Sequence, residues 1–160
     1  MTRTKPLHLV LIGLLGIVAM WFVETALAAT GRPVVVPPFT LAVALLLIGV
    51  VIVVLALPVR RVARGDRTAR VDPFYATRVV LLAKASSLVG ALLGGAGIGI
   101  VAYLLSRSVI PAAGSVAMAI GSAIGALLLL AAGLIAEHMC AIPPEDDDGR
   151  PGLPDTGGAR

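Results

Sequence analysis

LAVALLLIGVVIVVLAL, residues 41–57, contains no charged and no polar side chain. With the two residues before it, this stretch is about long enough to cross the hydrocarbon core of a bilayer, roughly 30 Å thick, because a helix rises about 1.5 Å per residue. Similar apolar runs occupy residues 7–29, 79–105 and 112–136. The sequence therefore predicts an all-α integral membrane protein, a bundle of four transmembrane helices joined by short loops.

The composition agrees with a membrane protein and excludes a soluble domain. Hydrophobic residues make up 58% of the 160 residues and charged residues 14%, whereas soluble domains have about 25% charged residues. We predict one membrane domain over residues 1–144, whose last helix continues to about 142, and a disordered acidic tail over 145–160. The single cysteine, Cys140, excludes an internal disulfide and a metal site built from several cysteines. The sequence indicates no cofactor.

Cationic side chains are concentrated on one side of the predicted spans. The N-terminal segment and the second loop carry eight of them, against two on the other side, Arg32 and Arg107. Because short cytoplasmic loops are enriched in Lys and Arg, both termini and the second loop are predicted to face the cytoplasm, with the protein in the cytoplasmic (inner) membrane. The second loop and its edges contain Arg60, Arg61, Arg64, Arg67, Arg70 and Arg78.

Clustered arginines are also typical of nucleic-acid sites. This loop has no interleaved aromatic residues and no recognised fold around it. We therefore interpret its arginines as determinants of topology that contact anionic lipid, and we expect no nucleic-acid partner.

The first apolar run has a second interpretation, a signal peptide. A basic start, an apolar stretch and the sequence Ala26-Leu27-Ala28 resemble such a peptide with its cleavage site. Against this, the apolar stretch is longer than usual, and Glu24 lies just before the site together with the bulky Trp21 and Phe22. We favour a retained helix.

Prolines set the expected ends of the two middle helices. Pro58 is expected to end the second helix, which is apolar all round and is expected to face lipid over much of its surface. Asp72 followed by Pro73 is typical of a helix N-cap with proline at the first helical position. The third helix is therefore expected to run from Pro73 to about Ser106, longer than the hydrocarbon core requires.

Small residues recur at every fourth position in the third and fourth spans. Such faces allow close approach of two backbones, which is how helices associate in lipid. We predict that the two faces meet, with Gly95 opposite Gly121 or Gly125, and that Ala56 of the second helix faces lipid. The alternative, that glycines 95, 97 and 99 mark an unwound segment of a transporter, is disfavoured by the regular spacing. The predicted packing residues are Ala83, Ser87, Ala91, Gly95, Gly99, Ala117, Gly121 and Gly125.

Four ionisable residues, Glu24, Lys84, Glu137 and His138, lie within the spans or at their ends, where a charge is costly and needs a reason. Lys84 and Glu137 are expected at similar depth on neighbouring helices, so an ion pair is as reasonable as snorkelling of Lys84 to the interface. Glu24, near the outer end of the first span, is expected either to pair with Arg32 or Arg107 or to reach water. Glu137, His138 and Cys140 do not converge on a helix, so no metal or catalytic site is expected.

The order of several short motifs resembles a known family. These are Pro37-Pro38, Asp72-Pro73 with Ala76 and Arg78, residues 82–85 (LAKA) leading into Gly90-Ala91 and Gly94, and residues 136–140 (AEHMC) before Pro143-Pro144. Together they resemble the actinobacterial membrane family named for domain of unknown function 3180. The resemblance implies a four-span protein that is often encoded beside folate-biosynthesis enzymes. It carries over no catalytic residue.

The leading functional hypothesis is a small non-enzymatic accessory or scaffold protein, with the lipid bilayer and either a second copy or another membrane protein as partners. It rests on a marked helix interface without a catalytic constellation. The alternative is a small transporter, or a subunit of one, that works as an oligomer through Glu24, Lys84 and Glu137. A membrane enzyme using residues 137–140 ranks last.

Overall fold

The structure, a computed structural model, describes residues 6–63, 72–106 and 113–140. These ranges form four α-helices, α1 (Pro6–Ala29), α2 (Phe39–Ala63), α3 (Pro73–Ser106) and α4 (Ala113–Cys140), and contain no strand. Each helix is long and apolar enough to cross a membrane. The prediction of an all-helical membrane protein is confirmed. The acidic tail predicted over 145–160 lies outside the described residues.

The helices are arranged in a row with α3 and α4 at its centre. These two run antiparallel, since Gly90 lies against Leu130 while Gly97, further along α3, lies against Ala123. α1 packs alongside α3 and α2 alongside α4, both in parallel, and α2 makes a smaller contact with α3. Within the described residues, α1 contacts neither α2 nor α4. α1 and α2, which are consecutive in the chain, are thus separated by α3 and α4.

This order requires the connection between α1 and α2 to pass over the ends of α3 and α4. α1 ends in a Schellman motif, in which Arg32 N donates to Leu27 O (3.0 Å) and Gly31 N to Ala28 O (3.1 Å). Gly31 has φ of 69°, a conformation that favours glycine. The segment 30–38, which we call the strap, then reaches the start of α2; an extended chain of this length covers about 30 Å.

Two apolar cores follow from this arrangement. At the end of the bundle that contains Cys140, α2, α3 and α4 bury Ala56, Val79, Ala83 and Ala136 against one another. At the opposite end, the strap and α1 replace α2, and the buried residues are Ile100, Leu104 and Ala119, with Met20 and Val34 packed against them. α3 and α4 contribute to both cores.

The expectation that Pro58 ends α2 is wrong, because the helix continues to Ala63 with Pro58 inside it. Proline has no N–H and pushes away the carbonyls of the preceding turn. The Tyr75 hydroxyl of α3 donates a hydrogen bond to Leu55 O (3.2 Å), next to that disturbed turn. Proline within a membrane helix is tolerated where a neighbouring helix supplies such a bond.

The start of α3 agrees with the sequence analysis. Asp72 Oδ1 accepts a hydrogen bond from Phe74 N (2.9 Å), and Asp72 O accepts from Ala76 N (3.1 Å). Asp72 is therefore the N-cap, with Pro73 as the first helical residue. The helix reaches Ser106, as expected from this signal.

The predicted small-residue face of α3 does not meet α4 as a whole. Ala83 and Ser87 lie against Gly133 of α4, but Gly95 lies against the carbonyl of Gly13 in α1, and Gly99 against that of Ile17. The reason is geometric: every fourth residue advances about 40° around a helix of 3.6 residues per turn, so the row from 83 to 99 turns by about 160°. The glycines that contact α4 are Gly90, Gly94 and Gly97. Their mean spacing of 3.5 residues is close to one helical turn, so all three lie on the same face of α3.

The predicted face of α4 is corrected in the same way. Gly125 lies against Ala42 of α2, and a methyl group added at Gly121 would meet no neighbouring side chain or helix of the described structure within 4 Å. α3 instead meets Ala123, Ala126, Leu130 and Gly133. Ala56, expected to face lipid, is fully buried between α2 and its neighbours. Much of the rest of α2 is exposed, as expected for a helix facing lipid.

The first prediction tests the contact between α1 and α3. A methyl group added at Gly95 would collide with the backbone of Gly13, so Gly95→Ala should lower the free energy of unfolding in detergent by about 1–3 kcal/mol. Gly121→Ala is the matched control, because its methyl meets open space and alanine is the better helix former by about 1 kcal/mol. If denaturant unfolding gives Gly121→Ala a lower free energy of unfolding than Gly95→Ala, the packing described above is contradicted.

Candidate functional site

Glu24 is the most deeply buried side chain of α1. The large side chains of this helix are exposed, among them Leu7, Leu14 and Phe22, whereas Glu24 is fully buried. The reason is its position: Glu24 follows Gly13 by eleven residues, about three turns, and so lies on the face that packs against α3. Burial of the one acidic residue of α1 marks this end of the bundle as the candidate site.

The two carboxylate oxygens of Glu24 have different surroundings. Oε1 accepts a hydrogen bond from Val35 N of the strap at 3.2 Å. Oε2 is buried and has no hydrogen-bond partner among the described residues. The pairing with Arg32 considered from the sequence does not form, since Arg32 is exposed on the strap, and Arg107 lies outside the described residues. A backbone amide has taken the place of the expected cation.

Aromatic and aliphatic side chains pack at the same end of the bundle as Glu24. Trp21, one turn before Glu24, meets Tyr103 of α3 edge to face, with ring centroids 5.8 Å apart. Such a pair contributes roughly 0.5–1.5 kcal/mol beyond its buried area. Val34, next to the residue that bonds Glu24, packs on Ile100 and Leu104. The strap is therefore held on the core at this end of the bundle by a hydrogen bond and by apolar packing.

The arrangement defines what Glu24 can do. A buried polar atom without a hydrogen bond costs free energy, and ionisable residues within membrane spans are functional candidates by default. Oε2 is available to accept a hydrogen bond or a proton, and Oε1 couples the position of the strap to α1. The chemistry that the geometry supports is binding and positioning.

Lys84 of α3 and Glu137 of α4 lie on the two helices of the central pair. Both side chains are half-buried, and the small residues around them, Ala83 and Ala136, are fully buried where α3 and α4 cross. Both the ion pair between these two residues and snorkelling of Lys84 stay predictions. Across the described ranges, no three His, Cys, Asp or Glu side chains come together as a metal ion would require.

The arginines lie at one end of the bundle, as far as the structure describes them. Arg60 is half-buried and Arg61 is exposed in the last turn of α2, and Arg78 is exposed near the start of α3. Arg64, Arg67 and Arg70 lie outside the described residues. Two predicted packing residues remain: Ala91 is buried on α3, where its carbonyl lies against Gly13 of α1, and Ala117 is exposed on α4.

Two parts of this site were missed by sequence reasoning. The hydrogen bond from Val35 depends on the path of the strap, which no local pattern encodes. The burial of Glu24 did have a signal: Gly13, Gly16 and Glu24 share one face of α1, and Gly16 is the other buried residue of that helix. A glycine face followed by a carboxylate indicates that the carboxylate faces the neighbouring helix.

Comparison with known proteins identifies a family without an assigned activity. Residues 9–144 match the model of a family described as "Protein of unknown function (DUF3180)". No curated protein and no solved structure matches the chain. The resemblance to this family drawn from the sequence is confirmed, and the actinobacterial origin that it implied stays a prediction.

The second prediction tests the bond between Glu24 and the strap. Glu24→Leu removes the acceptor of the Val35 amide, so hydrogen–deuterium exchange at Val35 should accelerate, by about 5-fold or more for a lost bond of about 1 kcal/mol. Glu24→Gln keeps a carbonyl oxygen and should leave the exchange at Val35 slow. Thr25→Val is the control, because Thr25 bonds only to its own helix, at Trp21 O. Unchanged exchange in Glu24→Leu would show that packing alone holds the strap.

Proposed function

We propose that this chain, which belongs to the DUF3180 family of proteins of unknown function, is a non-enzymatic accessory or scaffold protein of the cytoplasmic membrane that binds a transmembrane helix of a partner. The observation that carries the proposal is an uncovered face of small residues on α4. We call Gly114, Ala117 and Gly121 the docking face.

The docking face stands out among the glycines of the bundle. In the described helices, Gly114 and Gly121 alone have open space where a side chain would be, whereas every other helical glycine faces the backbone or a side chain of a neighbouring helix. Ala117, between them, is exposed. Small residues at this spacing let a second backbone approach closely, which is the main source of helix association in lipid.

The other uncovered surfaces support the same choice of face. α1 presents large side chains such as Leu11, Leu15 and Phe22 away from the bundle. Lipid tails are as apolar as leucine, so a partner helix gains little by covering such a surface. The docking face on α4 lets the backbone of a partner helix approach closely, which the large exposed side chains of α1 prevent.

A second candidate function is a small transporter, or a subunit of one, that works as an oligomer. The observation that favours it is the buried Oε2 of Glu24, which has no hydrogen bond within the described structure. In this case the docking face would join two copies of the chain, and Glu24 would bind the transported solute or a coupled proton. The hydrogen bond from the strap favours the accessory role, because it occupies Oε1 of a side chain that is fully buried.

The resemblance of the chain to the DUF3180 family suggests which cellular process to examine first. Since it implies genes placed beside folate-biosynthesis enzymes, we infer that the partner acts in, or near, folate metabolism. A deletion strain analysed by metabolomics should then show altered folate intermediates. Unaltered intermediates would remove this link without bearing on the docking face.

The third prediction tests the docking face. Gly121→Leu should keep the melting temperature of the detergent-solubilised protein at or above the wild-type value, because its Cβ meets no atom of the described residues within 4 Å and leucine is the better helix former. The same variant should abolish recovery of the partner after crosslinking in the membrane. Ala44→Leu is the matched control, an exposed small residue on α2, and should recover the partner as the wild type does.

The products of that experiment distinguish the two functions. A crosslink to another protein that depends on Gly121 supports an accessory role, and a crosslink to a second copy supports the oligomer. Equal recovery by Gly121→Leu and Ala44→Leu would rule out this face as the contact.

The fourth prediction concerns orientation. We propose that both termini and the arginine-rich loop face the cytoplasm and that α1 is retained, since its removal would leave Gly95 and Gly99 without their contacts. Cys140 is a poor reporter because it is buried. In a Cys140→Ser background, Thr30→Cys should react with an impermeant thiol reagent on intact cells, and Asp72→Cys should react after lysis only. The reverse pattern would invert the topology.

A further inference from the structure

An apolar groove runs along the membrane-facing side of α2 and α4. It encloses about 410 Å³, and its lining is almost entirely apolar. Gly49 of α2 and Ala132 of α4 form its floor, where a methyl added at Gly49 would lie 3.3 Å from Ala132 Cβ. Its walls are formed by Val50, Val53, Val54 and Leu128. Its lining residues lie within the apolar stretches of α2 and α4, which are long enough to cross the hydrocarbon region.

The face of α2 that lines the groove continues to two arginines. Val50 and Val53 are followed after seven residues by Leu57 and Arg60, and Val50 after eleven by Arg61, spacings that return to the same side of a helix. Arg61 is exposed and Arg60 is half-buried. Along the axis, Arg61 lies about 10 Å beyond Val54. The groove therefore leads to a cationic end.

The fold maintains this alignment past Pro58. The helix continues through Pro58 to Ala63, and the hydrogen bond from the Tyr75 hydroxyl to Leu55 O braces the disturbed turn. Had α2 ended at Pro58, Arg60 and Arg61 would lie in a loop without a fixed side. Because α2 continues, both arginines remain on the end of the grooved helix.

We propose that the groove and these arginines bind one anionic diacyl phospholipid, with an acyl chain in the groove and the headgroup phosphate on Arg60 and Arg61. The chemistry of the two halves matches such a lipid and no simpler ligand: an apolar channel at hydrocarbon depth, and two permanent cations at one end of it. Arginine pairs well with phosphate because its guanidinium presents several donors in a fixed geometry. The groove and the docking face lie on the same side of α4, since Leu128 follows Gly121 by seven residues, but Leu128 is about 10 Å further along the helix axis.

The test measures lipid binding to the full chain in mild detergent by native mass spectrometry. The probes are phosphatidylglycerol and phosphatidylcholine with the same acyl chains. The wild type should bind phosphatidylglycerol more tightly. Arg60→Gln and Arg61→Gln should each weaken that binding about fivefold, and the double variant should bind the two lipids equally. Excess glycerol 3-phosphate, a headgroup without chains, should displace little lipid.

The groove has a matched pair of variants. Val50→Phe fills it, whereas Val51→Phe adds the same ring to a valine of nearly equal exposure, 55% against 53%, outside the lining. Val50→Phe should weaken binding of both lipids at least fivefold, and Val51→Phe should bind as the wild type does. Val54→Phe repeats the test one turn further along α2, and melting temperatures confirm folding.

Three results would overturn the proposal: equal binding by Val50→Phe and Val51→Phe, equal affinity of the wild type for the two lipids, or full displacement by glycerol 3-phosphate. Gly121→Leu should bind lipid as the wild type does, so failure of the docking face and failure of the lipid site are distinguishable.

Discussion

Contact of backbone with backbone at glycine holds these helices together. Within a bilayer, covering a leucine with another leucine replaces one apolar neighbour with a similar one, so the hydrophobic effect that folds soluble domains gives little drive between spans. Dispersion along a close seam takes its place. At Gly90 a single methyl group would lie 2.6 Å from Leu130 N, and at Gly133 it would lie 2.7 Å from Ser87 N. The order of the helices follows from which glycines face which backbones.

α3 makes close backbone contacts with two neighbouring helices. One row of small residues, with a mean spacing of 3.5, faces α4, and a second row that includes Gly95 and Gly99 faces α1. The helices themselves could be predicted, because long apolar runs and an Asp-Pro N-cap are local signals. The partner of each glycine could not, because both rows occur in one segment and a glycine has no side chain whose polarity would indicate its surroundings. Pro58 shows the same limit, since the helix continues beside Tyr75, a residue of a different helix.

Part of the candidate site could be predicted from the sequence, and part of it could not. Glu24 could be selected from the sequence because a charge within an apolar span needs a reason. Its partner could not, since sequence reasoning looks for a cation whereas the fold supplies the amide of Val35. That amide reaches Glu24 because the strap must cross from α1 to α2 over the ends of the central pair. The site is a consequence of helix order, and the helix order is a consequence of the glycine seams.

The glycines outside those seams carry the argument for function. Glycine within a helix costs up to about 1 kcal/mol relative to alanine. Gly95 offsets this cost by its close approach to Gly13, but Gly114 and Gly121 have no neighbour in the described structure to offset theirs. Alanine at either position would make a more stable isolated chain. Two uncompensated glycines flanking an exposed alanine are understandable if another backbone comes to lie against them, since that contact then supplies the dispersion energy that the isolated bundle lacks.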